Sequence, residues 1–290
     1  MSYALVLGGG GTVGVSWSIG VLASVSEALG IDLAGARATI GTSAGSVVAA
    51  FLGDGNGLKE QVERERLAGS AGDGSWATSF DIPLVAQIFQ LWTSAPVMTA
   101  DVARAIGERA LRASSKTDED WVGVLSDHLG GRTWPHMDIR LATVNCATGE
   151  RRMWTAADGA DLVRVVSASS AVPGIIPPIR IDGVPYMDGG VWSLMNSDLI
   201  IGMDLTDVLL VAPQAGGGLL APGARATLER EKALLDGAGF RTHAIVPGPA
   251  YEPIGANAMD AALRAPAVEL GLADGMEWAK RLSEEGFGAQ

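Results

Sequence analysis

The stretch that decides the fold runs from Ala36 to Leu52 and reads A-R-A-T-I-G-T-S-A-G-S-V-V-A-A-F-L. Its first part, Ala36 to Thr42, is short and apolar with β-branched residues, which is typical of a buried strand. Its last part, Ala44 to Leu52, is rich in Ala and Val and contains no helix breaker, so it predicts a helix. The sequence therefore predicts a strand that turns sharply into a helix.

The turn between the two parts, Gly41-Thr42-Ser43-Ala44-Gly45, is a G-x-S-x-G sequence. Its two glycines are expected because a Cβ at either position would clash with the neighbouring backbone. The hydroxyl of Ser43 would project from the edge of the sheet, with the positive end of the following helix beneath it. An ordinary strand–turn–helix also uses Gly and Ser, but the predicted elements on both sides favour a nucleophile at Ser43.

A glycine loop lies between a first predicted strand, Ser2 to Leu7, and a predicted helix, Val15 to Leu29. Together with the Ala36–Thr42 strand these segments form a βαβ unit, whose two strands end side by side at one edge of the sheet. Consecutive glycines expose backbone N–H groups that can bind a developing oxyanion. The amides predicted to face Ser43 as an oxyanion hole are those of Gly9, Gly10 and Gly11.

The same loop has a second interpretation, because Gly9, Gly11 and Gly14 satisfy the G-x-G-x-x-G pattern of dinucleotide-binding proteins. That pattern also requires an acidic residue at the end of the second strand, which binds the ribose hydroxyls. Here the second strand ends at Thr42, and the nearest acid, Asp32, precedes that strand. A nucleotide-binding module is therefore the disfavoured, non-catalytic alternative.

The rest of the chain alternates predicted strands with predicted helices, apart from an all-helical insertion at about residues 58–130 that could cover the site. Within it, the charged helix Leu58 to Leu67 is interpreted as a solvated face, and Gly69 to Ser79 as a mobile loop. The remaining strands are predicted over Met137 to Ala147, Arg151 to Thr155, a hairpin from Ile179 to Met187, Asp207 to Ala212 and Arg241 to Val246. This order predicts an α/β fold, a three-layer sandwich with a mainly parallel central sheet in a single domain over residues 1–290.

Composition excludes several classes of function. The 290 residues carry a net charge of −12 and no basic run, so nucleic acid is not an expected partner. The single cysteine, Cys146, excludes an internal disulfide and suits a reducing compartment. No leader sequence and no uninterrupted apolar run of membrane-spanning length is evident, so a cytoplasmic protein without a spanning helix is expected.

A serine nucleophile needs a base, and Asp188 is well placed because it directly follows a predicted strand and precedes two glycines, although an ordinary Asp-Gly turn would use the same residues. The chain order Ser43, Asp188, His243 is also that of the α/β-hydrolases. In that fold, however, several strands precede the nucleophile strand, whereas here only one does. His243 lies inside an apolar strand, where a structural histidine is the better interpretation.

Three blocks of this sequence, in order and spacing, resemble those of the patatin-like phospholipases. They are Gly9-Gly10-Gly11-x-x-Gly14, Gly41-Thr42-Ser43-Ala44-Gly45 and Asp188-Gly189-Gly190. The surroundings agree, with Gly20-Val21-Leu22 after the loop, S-A-S-S-A-V-P-G before the hairpin, and Asn196-x-Asp198 after the aspartate. The resemblance covers most of residues 4–54 and 163–200.

This resemblance implies a Ser–Asp dyad without histidine, in which Ser43 is the nucleophile and Asp188 its partner. It also implies an oxyanion hole of the glycine-loop amides, with no metal or other cofactor. One departure is Val13, which stands where the family often carries Arg or Lys. The sequence thus predicts a serine acyl-ester hydrolase of lipids that makes transient contact with a membrane surface, and an esterase of small soluble esters is the first alternative.

Overall fold

The computed structural model describes residues 2–53, 57–68, 81–95, 97–113, 117–218 and 221–288, and eight strands of this part of the chain form one sheet. All eight lie within two residues of the predicted strands. They are β1 (Tyr3–Leu7), β2 (Ala38–Thr42), β3 (Ile139–Asn145), β4 (Arg151–Trp154), β5 (Ile179–Ile181), β6 (Val184–Asp188), β7 (Asp207–Val211) and β8 (Arg241–Ile245).

The α-helices of the described residues lie between strands or, for the last two, after β8, and four of them, α3 to α6, form the predicted insertion between β2 and β3. The predicted loop Gly69–Ser79 lies outside the described residues. The helices are α1 (Gly11–Leu29), α2 (Ala44–Phe51), α3 (Gly57–Ala68), α4 (Ile82–Ser94), α5 (Ala100–Ala113), α6 (Asp118–Leu129), α7 (Leu162–Ser169), α8 (Ala221–Gly237), α9 (Glu252–Gly255) and α10 (Arg264–Glu284).

The sheet is mixed, with a parallel centre. Strands β3, β2, β1, β7 and β8 pair in that order and all run in parallel, so that Leu7 at the end of β1 lies opposite both Gly41 and Val211. Strands β4 and β6 are antiparallel to β3, and β5 is antiparallel to β6. The prediction of an α/β fold with a mainly parallel sheet is confirmed.

The two sides of β3 explain how distant segments meet. Leu141 has partners in both β2 and β4, so those two strands lie on opposite sides of β3. Thr143 has partners in both β4 and β6, so β6 lies on the same side as β2. Strand β2 ends at Thr42, opposite Ala142, and β6 ends at Asp188, opposite Thr143. The carboxyl ends of β2 and β6 therefore meet head to head along one side of β3.

Helices cover both faces of the sheet. Successive residues of a strand point to opposite faces, and in β1 Leu5 and Leu7 join a large apolar core with α1, α2, α7 and α10. Ala4 and Val6 join a second core with α8 on the other face. The predicted three-layer arrangement is present in the described residues.

Helix α1 is long and apolar enough to cross a membrane by length and composition, contrary to the expectation of no such helix. In the folded chain 67% of that stretch is buried, and α1 packs along α10. Glycines allow the two backbones to approach closely. A Cβ on Gly20 would lie 2.4 Å from the Val268 carbonyl oxygen, and one on Gly271 would lie 2.2 Å from the Trp17 carbonyl oxygen. Packing in the core of the domain accounts for the apolar composition of α1.

Helix α3 forms as predicted, but its interpretation as a merely solvated face is wrong. Gln61 and Glu65 are fully buried on it. The Glu65 carboxylate accepts hydrogen bonds from the Arg264 guanidinium at 2.7 and 2.8 Å and from the Ser16 hydroxyl at 2.5 Å. Because Arg264 lies 199 residues further along the chain, the local charge pattern could not reveal that α3 joins α1 to α10.

Candidate active site

Ser43 stands on a strained elbow between β2 and α2. Its backbone has φ 54° and ψ −121°, a conformation that costs a side-chain-bearing residue on the order of 1–3 kcal/mol. A Cβ on Gly45 would lie 1.9 Å from the Leu7 carbonyl oxygen, and one on Gly41 would lie 2.9 Å from the Gly45 carbonyl oxygen. Both glycines are therefore required by close backbone contacts, as the sequence predicts.

The backbone of Ser43 is held on both sides. Its N–H donates to the Ser169 hydroxyl oxygen at 3.0 Å, and its carbonyl accepts from the Ser46 N–H and hydroxyl at 2.8 and 2.6 Å. Ser169 closes α7 and is fully buried. The sequence did not single it out, although it belongs to the S-A-S-S-A segment that marks the family resemblance. These bonds keep the strained turn in one conformation.

Asp188 is 2% exposed and accepts a hydrogen bond from the Gly190 N–H at 2.6 Å. No Lys, Arg or His of the described residues forms an ion pair with it. Burial raises the pKa of the Asp188 carboxyl to about 7, although the nearby Ser43 hydroxyl and the Gly190 N–H both lower it. A general base works best when its pKa lies near the operating pH, so this carboxyl suits that task.

The glycine loop lies beside Ser43, as predicted, because β1 and β2 end side by side. A Cβ on Gly9 would lie 3.5 Å from the Ser43 Cβ. The Gly9 N–H, however, donates to the Leu194 carbonyl at 2.9 Å, which removes it from the predicted set of free donors. The amides of Gly10 and Gly11 have no acceptor within the described ranges, and they stand at the N-terminus of α1. These two amides are the candidate oxyanion donors.

His243 lies in β8, away from the site, and the prediction of a structural histidine there agrees with its contacts. Its ring nitrogens lie 2.5 Å from a Glu285 carboxylate oxygen and 3.2 Å from an Asp207 carboxylate oxygen. Among the described residues no histidine hydrogen-bonds to Ser43 or Asp188. The pair of Ser43 and Asp188 therefore stands without an imidazole.

The helical insertion touches the loop that carries Asp188. The Trp92 indole N–H of α4 donates to the Gly190 carbonyl at 3.2 Å. A Cβ on Gly174, in the segment before the β5–β6 hairpin, would lie 3.1 Å from the Ile88 side chain of the same helix. Helix α4 thus packs against the site's margin, and its action as a cover over Ser43 stays a prediction.

Other chemistries find less support in these surroundings. No group of three or more His, Cys, Asp or Glu that could hold a metal ion occurs in the part of the chain that the structure describes. Val13 is fully buried, so the loop position that often carries a cation in the family offers none. Burial raises the pKa of Cys146 to about 12, which leaves its thiol unreactive.

A serine on a strand-to-helix elbow, beside glycine-loop amides and near a buried acid, resembles the arrangement of α/β hydrolytic enzymes with a serine nucleophile. Comparison with family models matches residues 5–196 to the patatin-like phospholipases. The chain belongs to the patatin-like phospholipase family, which confirms the resemblance seen in the sequence. Comparison with curated proteins found no match.

Two solved structures are similar to the chain at 16% identity each. VipD from Legionella pneumophila matches 97% of this chain and 66% of its own, with a TM-score of 0.44. The type III effector protein ExoU matches 96% of this chain and 53% of its own, with a TM-score of 0.33. The present chain thus spans between half and two thirds of the length of these two proteins.

Proposed function

We propose that this protein is a serine acyl-ester hydrolase of lipids that uses a Ser43–Asp188 dyad. Membership of the patatin-like phospholipase family supports a lipid-hydrolysing enzyme. The observation that carries the finer proposal is the proximity of the Ser43 hydroxyl to a buried carboxylate that forms no ion pair with any Lys, Arg or His of the described residues. A carboxylate in that environment is a stronger base than an exposed one.

In the proposed reaction the Ser43 oxygen attacks the acyl carbonyl while Asp188 accepts the hydroxyl proton. The tetrahedral intermediate collapses, and the leaving alcohol takes the proton back from Asp188. A water molecule then loses a proton to Asp188 and attacks the acyl-enzyme; as the second tetrahedral intermediate collapses, Asp188 returns that proton to the Ser43 oxygen and the fatty acid leaves. Each step uses one carboxyl as the proton carrier, so no histidine is required.

The proposed oxyanion donors are the amides of Gly10 and Gly11. Loss of one such donor in serine hydrolases costs about 10²- to 10³-fold in kcat, so two amides are a substantial share of catalysis. They are available because the Gly9 N–H, and not theirs, is used by the Leu194 carbonyl. The N-terminus of α1 lies at the same place and favours a developing negative charge.

The proposal is tested by labelling the purified protein with a fluorophosphonate, which reacts with activated serines, and locating the adduct by mass spectrometry. We expect one adduct on Ser43, none in Ser43→Ala, and full labelling in Ser24→Ala, a matched serine at the far end of α1. Hydrolysis of phosphatidylcholine vesicles and of p-nitrophenyl butyrate would be measured in parallel. Labelling with hydrolysis of the butyrate alone would favour the small-ester alternative, and full activity of Ser43→Ala would refute the dyad.

A further inference from the structure

The loop at residues 193–198 contacts all three segments of the site. The Leu194 carbonyl accepts from the Gly9 N–H at 2.9 Å, which ties the loop to the glycine loop. The Asn196 side-chain amide donates to the Thr42 hydroxyl at 3.0 Å, next to Ser43, and to the Gly189 carbonyl at 3.3 Å, next to Asp188. One short loop therefore bridges the residue before the nucleophile and the residue after the base.

Asn196 suits this position for reasons of conformation and of hydrogen bonding. Its φ of 54° lies in the left-handed region, which asparagine tolerates better than most residues. The side chain is fully buried, and its oxygen accepts from the Arg151 guanidinium at 3.1 Å. The Ser193 carbonyl oxygen also lies 2.6 Å from the side-chain nitrogen, so the two N–H groups are shared among three acceptors. Because a carboxylate cannot donate to carbonyl oxygens, aspartate would not replace this amide.

The loop is also held by two elements outside the site. Arg151 of β4 forms a bidentate pair with Asp198 at 2.7 and 2.8 Å. The Glu231 carboxylate of α8 accepts from the Ser197 N–H at 2.8 Å and from the hydroxyls of Ser193 and Ser197. Charge-assisted bonds of this kind are roughly twice as strong as neutral ones. The loop is thus anchored by hydrogen bonds to β4 and to α8 as well as to the site.

The contacts of Asn196 join the two strand ends that carry the site, the end of β2 next to Ser43 and the end of β6 at Asp188. The two strands end head to head on β3 with no ladder between them, so strand pairing holds their ends together only through β3, and Asn196 adds a direct link between residues 42 and 189. Asp188 is the last residue of β6, and Ser43 directly follows the last residue of β2. A displacement of about 1 Å at a reacting centre can cost 10²-fold in rate.

We propose that Asn196 is a positioning residue that sets the distance between Ser43 and Asp188 through its bonds to Thr42 and Gly189. It does not touch the reacting atoms. Its effect therefore falls on the chemical step and not on substrate binding. This inference rests on the proposed dyad.

The test compares kcat and KM on p-nitrophenyl butyrate for Asn196→Ala and Asn196→Asp with those of the wild type. We expect kcat to fall about 10- to 100-fold in both, with KM within about threefold, because the nucleophile and base lose alignment. Asn196→Asp keeps the volume and the Arg151 contact, so its loss would trace to the missing N–H donors. The matched control is Asp207→Asn, which removes a buried negative charge at the start of β7, the end of that strand away from the site, and should leave kcat unchanged.

A double-mutant cycle with Thr42→Val separates positioning from general destabilisation. If Asn196 acts through Thr42, the double variant should lose less kcat than the product of the two single losses. Multiplicative losses, or a kcat loss in Asp207→Asn that matches the loss in Asn196→Ala at equal thermal destabilisation, would overturn the positioning role. A wild type that neither hydrolyses esters nor reacts with fluorophosphonate would instead refute the proposed function itself.

Discussion

Two buried aspartates of the same sheet have opposite surroundings. Asp207 begins β7 and is fully buried; Asp188 ends β6 at the site and is 2% exposed. Asp207 accepts from the Arg241 guanidinium at 2.6 and 2.9 Å and from the Thr206 hydroxyl at 2.6 Å, and a His243 ring nitrogen lies 3.2 Å away. Asp188 accepts from the Gly190 N–H and has the Ser43 hydroxyl near it. Asp207 is thus paired with a guanidinium, whereas Asp188 has no ion-pair partner among the described residues.

The pKa of each carboxyl follows from these partners. Burial raises the pKa of both groups, but for Asp207 the hydrogen bonds from Arg241, Thr206 and His243 outweigh burial and lower the pKa to about 2. Asp188 has no ion-pair partner among the described residues, and burial raises its pKa to about 7. A cation beside Asp188 would stabilise the fold and weaken the base, so the comparison teaches that the proposed reaction requires a locally destabilised carboxylate.

The largest expected difference between the two acids is in activity. Asp188→Asn should lower kcat by about 10²- to 10⁴-fold, because a positioned general base is lost. Asp207→Asn should leave the kcat of the folded enzyme within about twofold, because Asp207 lies at the other end of β7 from the site. Steady-state hydrolysis of p-nitrophenyl butyrate measures both. A large loss in His243→Ala with little loss in Asp188→Asn would restore the Ser–Asp–His alternative.

For the free energy of unfolding we expect the opposite order, with Asp207→Asn having the larger destabilising effect. Asp207→Asn should lower the free energy of unfolding at pH 7 by about 2–4 kcal/mol, because buried charged hydrogen bonds are broken. A lowered pKa stabilises the folded state above the unfolded value of 3.8, and this contribution disappears as the pH falls towards about 2. Urea unfolding at pH 7 and pH 3 should therefore show a smaller difference from wild type at pH 3. An equal difference at both pH values would contradict the pairing.

Asp188→Asn should stabilise the protein, and more so at high pH. A raised pKa means that the folded state holds its proton up to about pH 7, so wild-type stability falls as the pH rises from about 4 to 7. Asparagine does not ionise, and its advantage over the wild type should be about 2–3 kcal/mol larger at pH 8 than at pH 5. Urea unfolding of both proteins at the two pH values measures this. If the advantage of Asp188→Asn is the same at both pH values, the pKa of Asp188 is not raised in the folded state.

The smallest expected effect concerns the elbow. Ser43→Gly should be more stable than Ser43→Ala by about 1–2 kcal/mol, because glycine adopts a φ of 54° without strain while alanine keeps the strain. Both variants should be inactive. Thermal unfolding of the two proteins side by side gives the answer, and equal midpoints would show that the elbow is relaxed.

Much of the fold could be predicted because strands, turns and helix breakers are local features. The strand at β2, the helix at α2 and the glycines at positions 41 and 45 follow from periodicity and from the absence of room for a Cβ. The free amides could be predicted only in part. The sequence shows four consecutive glycines, Gly8 to Gly11, but that the Leu194 carbonyl uses the N–H of Gly9 depends on a loop almost 200 residues away.

The sequence by itself determined the element order, the sharp elbow at Ser43 and the presence of an acid after a strand, since each needs only neighbouring residues. The tertiary structure decided that β2 and β6 end head to head on β3, because β3 pairs with residues 100 positions before it, Thr42 with Ala142, and 45 positions after it, Asp188 with Thr143. It also decided the difference between Asp188 and Asp207. A carboxyl's pKa depends on how much water and how many cations surround it, and the chain sets both only when it folds.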